Sequence, residues 1–318
     1  MKRSTRVILV LLVLSFVFLM AVGIILGVFL FAGQRIIQKP RILVFNVPSL
    51  ITEMPQPPSI QSLLGKPPLT LLQTTRAIRK AAADSNIAAL LVNISGLGMG
   101  WAKIEELQDA LAEFHDSGKP IYAYLQTAGN REYYLATSAR KIYMAPENIA
   151  TFGLLSETYF LKNTLNKLKM EPEFEHVGKY KSASDMLMRD SMSEEHRESV
   201  NSLLDSVYEQ WISAVTTSRD LTRSEVERVV DKGLLSPQDL ILNGWIDGVH
   251  YPDEIRNIIQ QETGLDLLQK SNQMSLQEYG RSEKFSPRSG KRIAVIFAGG
   301  TIAEGRSSFG GWVEIIGS

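Results

Sequence analysis

From Val7 to Ala32 the chain carries no charge and is built almost entirely of valine, leucine, isoleucine and phenylalanine. As a helix rising about 1.5 Å per residue, such a run covers roughly 35 to 40 Å, enough to cross a hydrocarbon layer of about 30 Å. The pattern predicts an uncleaved transmembrane anchor over residues 7–32, behind a cytoplasmic N-terminus of residues 1–6. A cleaved signal peptide has a shorter apolar core, about 7 to 15 residues, and then a small-x-small site. Leu30-Phe31-Ala32-Gly33-Gln34 does not offer one. Lys2, Arg3 and Arg6 before the run face Arg35, Lys39 and Arg41 after it, and the reading favours the N-terminus inside and the body outside.

Beyond the anchor the periodicity changes. Residues 41–47 read as a strand, and Pro48 to Pro68, with six prolines, as an irregular loop. Apolar and small positions at Leu71, Ala77, Ile78, Ala81 and Ala82 predict a helix leading into a buried strand, Ile87 to Ile94. After Ser95-Gly-Leu-Gly-Met-Gly100, the spacing of Ile104, Leu107, Leu111 and Phe114 predicts a second helix, stopped at Gly118. Ile121 to Leu125 is the next strand. Strand, helix and strand at this spacing imply a parallel α/β core with right-handed crossovers.

Further along, Tyr133–Ala139 is expected to be helical and Lys141–Met144 a strand. Val200, Leu203, Leu204, Val207, Trp211 and Val215 form one long stripe, predicting a long helix packed on the sheet. Thr222-x-x-Glu225 is a capping box ahead of another helix, Ser236-Pro237 opens a short one, and a last runs from Asp253 to about Thr263. Residues 269–290, rich in Ser, Gln, Lys and Arg, read as a linker. Lys291-Arg-Ile-Ala-Val-Ile-Phe-Ala298 then repeats the charged-then-apolar opening of Pro40-Arg-Ile-Leu-Val-Phe-Asn-Val47. The expectation is a first unit over residues 40–268 and the start of a second over 291–318, cut short in a glycine-rich tail.

Composition narrows the chemistry. Acidic and basic residues balance at 34 each, so no global field holds a nucleic acid. There is no cysteine, which removes thiolate catalysis and cysteine-based zinc sites. His115, His176, His196 and His250 lack metal-ligand spacing, and neither metal nor cofactor is expected. Gly96, Gly98 and Gly100 stand where a dinucleotide loop would, but the third fingerprint position is Trp101 and no carboxylate ends the following strand. No G-x-S-x-G is present. What remains is Glu175-His-Val-Gly-Lys-Tyr-Lys-Ser-Ala-Ser184, either a basic surface turn or the carrier of a lysine general base. A lysine in that role must lose part of its ordinary affinity for the proton, a change of about 1.4 kcal/mol per pKa unit.

Val177-Gly-x-Tyr-Lys-Ser-Ala183, followed by Arg189-Asp-x-Met-Ser193, resembles the motif around the catalytic lysine of the signal peptide peptidase A (protease IV) family in its long, two-repeat form. Ile94-Ser-Gly-Leu-Gly98, Tyr133-Tyr-Leu-Ala136, Phe152-Gly153 and Val295–Ile302 extend the resemblance over most of the chain. It implies a Clp protease/crotonase-like core of repeated β-β-α units with added helices, and a Ser/Lys dyad in which the first repeat gives the lysine and the second the serine. Lys181 matches the general base, with Lys179 the alternative, in a partly apolar groove near Tyr133. The serine-equivalent position of this repeat falls near Asn130. The implied setting is a bacterial inner membrane, with signal peptides or other apolar peptides as substrates and a homo-oligomer in the full-length form. A chain without its second repeat is expected to be inactive alone; the other reading is a non-enzymatic membrane scaffold that assembles with full-length relatives.

Overall fold

The computed structural model describes residues 40–54 and 67–282, the backbone of short strands between 301 and 317, and a few positions between 15 and 22. The expected anchor at 7–32 and the expected strand at 291–298 lie outside the described residues or nearly so. Among the described residues no helix is long and apolar enough to cross a membrane.

Strand β1 (Arg41–Asn46) opens the body, and α1 (Leu71–Ala83) follows behind a capping box. In that box the Gln73 N–H donates to Thr70 Oγ1 and the Thr70 N–H donates to Gln73 Oε1. Then come β2 (Ile87–Ile94), α2 (Trp101–Asp116), β3 (Ile121–Leu125), α3 (Asn130–Ala136) and β4 (Lys141–Met144). A two-residue strand β5 (Ala150–Thr151) leads to a long excursion holding α4 (Lys162–Lys167) and α5 (Asp185–Met188). The chain returns along α6 (Glu194–Arg219) and α7 (Arg223–Val230). The closing elements are β6 (Leu234–Leu235), α8 (Pro237–Leu242), β7 (Gly248–Val249), α9 (Pro252–Thr263), β8 (Gln273–Ser275) and α10 (Leu276–Ser282).

Six of these strands form one parallel sheet in the order β7-β4-β3-β2-β1-β8, the parallel α/β core that the alternation of strands and helices predicts. Because side chains alternate along a strand, the sheet divides its apolar residues between two faces. Leu43, Phe45, Leu90, Val92, Ile94, Ile121, Ala123 and Leu125 pack with α1, α2 and α3 in the larger core. Ile42, Ala89, Leu91, Tyr122, Tyr124 and Tyr143 meet Ile255 and Ile259 of α9 on the other face. On that second face two of the tyrosine hydroxyls are bonded, Tyr122 donating to Glu262 Oε2 at 2.6 Å and Tyr124 to the His250 carbonyl at 3.2 Å.

Three expectations need correction. Residues 270–282 are not linker: β8 pairs in parallel with β1, and α10 buries Leu276 and Tyr279, the latter donating to Asp84 Oδ2 at 3.0 Å. A three-residue strand and a seven-residue helix are too short to give a period. The helix expected over 133–139 begins at Asn130, because its N-cap is Gly129, which has no side chain to announce it. The stripe on α6 is buried only at its far end, at Trp211, Ile212 and Val215, whereas Leu203 is exposed. At the C-terminal end, β9 (Thr301–Ala303), β10 (Ser308–Gly310) and β11 (Val313–Gly317) pair among themselves, so this stretch is strand as well as glycine-rich tail.

Candidate functional site

Two places hold the residues of interest. The first is the crevice at the carboxyl ends of β2 and β3, where ligands of open α/β sheets bind. Here the glycine loop after β2 faces the first turn of α3. Gly96 has a φ of +27°, a conformation costly for any other residue. Three amides of this loop have acceptors. The Gly96 N–H donates to Thr127 Oγ1 at 2.9 Å, the Leu97 N–H to Glu132 Oε1 at 2.6 Å, and the Gly98 N–H to the Ser49 carbonyl at 3.0 Å.

Asn130 is equally committed. Its Oδ1 accepts from the Gly153 N–H at 3.1 Å and its Nδ2 donates back to the Gly153 carbonyl, so the side chain closes a two-bond clamp on one residue. Trp211 Nε1–H donates to the Asn130 carbonyl at 3.0 Å. Glu132 fills the space beside Gly129, where an added Cβ would lie 2.8 Å from Glu132 Oε2. The Asn130 side chain is therefore taken up in holding Gly153, and the three loop amides in holding Thr127, Glu132 and Ser49.

Next to this crevice Tyr133, Phe152, Trp211 and Trp245 stack with ring centroids 4.8 to 6.5 Å apart. Tyr133 is wholly buried, its hydroxyl donating to the Trp245 carbonyl at 2.6 Å, and burial pushes that hydroxyl far above the ordinary tyrosine value. Tyr133 thus has no face to offer a lysine, contrary to the groove expected there. The cluster has another role. Phe152 is the last core residue before the excursion and Trp211 the first after it, and their rings are 5.5 Å apart.

The second place is the excursion itself, which carries the lysines. Gly178, at φ +103°, turns the chain, the Lys181 N–H donates to the Gly178 carbonyl at 3.3 Å, and a single 3-10 turn follows over Ser182–Ser184. Lys181 is exposed. Lys179 lies 4.7 Å above the Tyr180 ring, and the Tyr180 hydroxyl donates to Glu198 Oε2 at 2.9 Å. The bond to Tyr180, with Glu198 and Glu195 nearby, holds the Lys179 ammonium above the ordinary lysine value, the opposite of what a general base needs. Along the same excursion apolar side chains stand in water: Leu155 is 83% exposed, Tyr159 72% and Val177 90%, with Met170, Phe174 and Met186 also exposed. So many exposed apolar side chains in one segment are uncommon on an isolated domain.

Residues 113–266, which contain Asn130, Glu132 and the whole excursion, match the family model described as Peptidase family S49. The chain belongs to peptidase family S49. Among curated S49 relatives it is 33% identical over 239 residues to the chloroplastic serine protease SPPA of Arabidopsis thaliana, covering 74% of this chain and 35% of that protein. It is 26% identical over 319 residues to Protease 4 of Salmonella typhi, covering 93% of this chain and 51% of that one. The chain thus spans about half, or less, of the length of these two S49 relatives. Among solved structures it is similar to a mutant of the 1510-N membrane-bound stomatin-specific protease in complex with a substrate peptide, at 14% identity and a TM-score of 0.40, over 69% of this chain and 80% of that one.

Two features escaped sequence reasoning. Glu132 reads as one more charge on a short helix, yet it is buried against the glycine loop. Asp185 and His196 read as ordinary polar residues of a loop and a helix start, yet they meet. Only tertiary packing brings these groups together, and no spacing rule announces them.

Proposed function

We propose that this S49 chain is the lysine-supplying part of a membrane-anchored serine endopeptidase that degrades signal peptides and similar apolar peptides. Lys181 is its general base, and the serine comes from another S49 repeat, in the same longer polypeptide or in a partner. The observation that carries the reading is the contrast between the two places. The chain's own crevice is filled by Asn130 and Glu132, while the segment bearing Lys181 is exposed and edged with uncovered apolar side chains. Docking a second repeat on that segment would bury the apolar surface and remove water from the lysine. Desolvation disfavours the ammonium, and the neutral amine can then take the serine proton.

The sequence run at 7–32 supports the membrane anchor, with the body outside a bacterial inner membrane, and the uncovered surface supports a homo-oligomeric assembly of the full-length form. The filled crevice also supports a second reading, a non-catalytic scaffold that assembles with relatives bearing complete sites. The test joins this chain to a serine-bearing S49 repeat and follows cleavage of an apolar signal-sequence peptide. Turnover that disappears in Lys181→Ala while assembly persists is expected. Turnover that survives the substitution leaves the scaffold reading.

A further inference from the structure

Among the described residues from Gly153 to Gln210, Asp185 is the only one that is buried. A carboxylate is among the least favourable groups to bury unless it is bonded, so a lone buried aspartate in an exposed excursion has to be held by something. Two side chains hold it. Ser193 Oγ donates to Asp185 Oδ2 at 2.8 Å, and the same Ser193 Oγ, as N-cap of α6, accepts from the His196 N–H at 3.3 Å. His196 Nδ1, itself buried and with no hydrogen-bond partner among the described residues, lies 3.8 Å from Asp185 Oδ2. The carboxylate also sits at the N-terminal end of a helix running from Glu194 to Arg219, where the helix dipole favours negative charge.

Asp185 lies four residues after Lys181, at the first position of α5. Its carbonyl accepts from the Arg189 N–H at 2.8 Å, and the Leu161 N–H donates to the neighbouring Met186 carbonyl at 2.7 Å, so the outgoing limb of the excursion is fastened at the same point. We infer that Asp185 is a positioning residue: through Ser193 and His196 it fixes the turn that carries Lys181 to the N-terminus of α6, and so sets where the amine is presented. The inference rests on the proposed role of Lys181. The tether is a property of the chain alone, and the two can be tested apart.

Hydrogen exchange of the full chain, read by mass spectrometry, tests the tether. In Asp185→Ala, peptides containing the Leu161 and Arg189 amides are expected to exchange at least tenfold faster, with peptides from β3 and α2 unchanged. Ser193→Ala, which keeps the carboxylate, is the second variant should the first fold poorly, and is expected to move the same peptides. Lys181→Ala is expected to leave exchange as it is. With a serine-bearing S49 repeat joined to the chain, Asp185→Ala is expected to lower kcat at least tenfold with KM within twofold, and Asp185→Glu to recover most of kcat. Unchanged exchange in both Asp185→Ala and Ser193→Ala overturns the tether. Faster exchange with unchanged kcat overturns its role in presenting Lys181. If the joined protein with native residues gives no turnover, the proposed function fails while exchange still decides the tether.

Discussion

The crevice at Asn130 and the segment around Lys181 belong to one chain and are built on opposite principles. In the crevice much of the polar surface near the first turn of α3 is matched: three loop amides have acceptors, the Asn130 amide holds Gly153 at both its N–H and its carbonyl, and a cluster of aromatic rings packs beside it. Around Lys181 one carboxylate is matched and most else faces water. Under the proposed function, the apolar surface that leaves Leu155, Tyr159 and Val177 in solvent would gain free energy when a second repeat docks on it.

The contrast is broken most severely where the two regions join. Trp211→Ala removes a wholly packed ring that stacks on Phe152 and bonds Asn130, and is expected to cost about 3–5 kcal/mol in urea unfolding. A loss below about 1 kcal/mol would mean that the junction does not fasten the excursion.

Asp247 gives a smaller effect with a definite pH dependence. Burial by itself pushes its carboxyl up, but bonds from the Ile142 N–H, Lys141 and Arg219 outweigh this and hold it below the ordinary carboxylate range. A carboxylate depressed in the folded state adds stability that is complete above the unfolded value, about 4, and is lost as pH falls through the folded value. Asp247→Asn is therefore expected to cost about 1–3 kcal/mol at pH 7, and the gap to close as the pH falls below about 4. A gap that stays constant down to about pH 2 would contradict the assignment.

The smallest effect on stability belongs to the open segment. Leu155→Ser and Val177→Ser are expected to change unfolding free energy by no more than about 0.5 kcal/mol, because neither side chain is packed. The same substitutions are expected to weaken assembly with a second S49 repeat by at least about tenfold in Kd, read by analytical ultracentrifugation, since each removes about 1.5–3 kcal/mol of burial gained on docking. Assembly of unchanged strength would place the docking surface elsewhere.

What could be read from the sequence follows the same division. The strands of the sheet are buried on both sides, so Ile87–Ile94 and Ile121–Leu125 appear as continuous apolar runs, and the boxes at Thr70 and Thr222 mark helix starts. Periodicity on α6 disclosed an apolar face but not what covers it, and the structure covers it only near Trp211. β8 and α10 were missed because their order comes from β1 and Asp84, far away in the chain. For the site, the choice of Lys181 over Lys179 came from the resemblance alone; the structure leaves Lys181 exposed and sets Lys179 over the Tyr180 ring. The clamp at Asn130 and the tether at Asp185 join residues 23 and 8 positions apart through side chains whose types are common everywhere, and nothing local marks them.

The proposed role of Lys181 is tested most directly by the reactivity of the serine it is held to activate. A fluorophosphonate probe reports that reactivity without a peptide substrate. With this chain joined to a serine-bearing S49 repeat, labelling of that serine is expected to be rapid with the native residues, unchanged in Lys179→Ala, and slowed at least about a hundredfold in Lys181→Ala, the range of general-base contributions. Labelling that keeps its rate in Lys181→Ala, or that collapses in Lys179→Ala instead, would contradict the account.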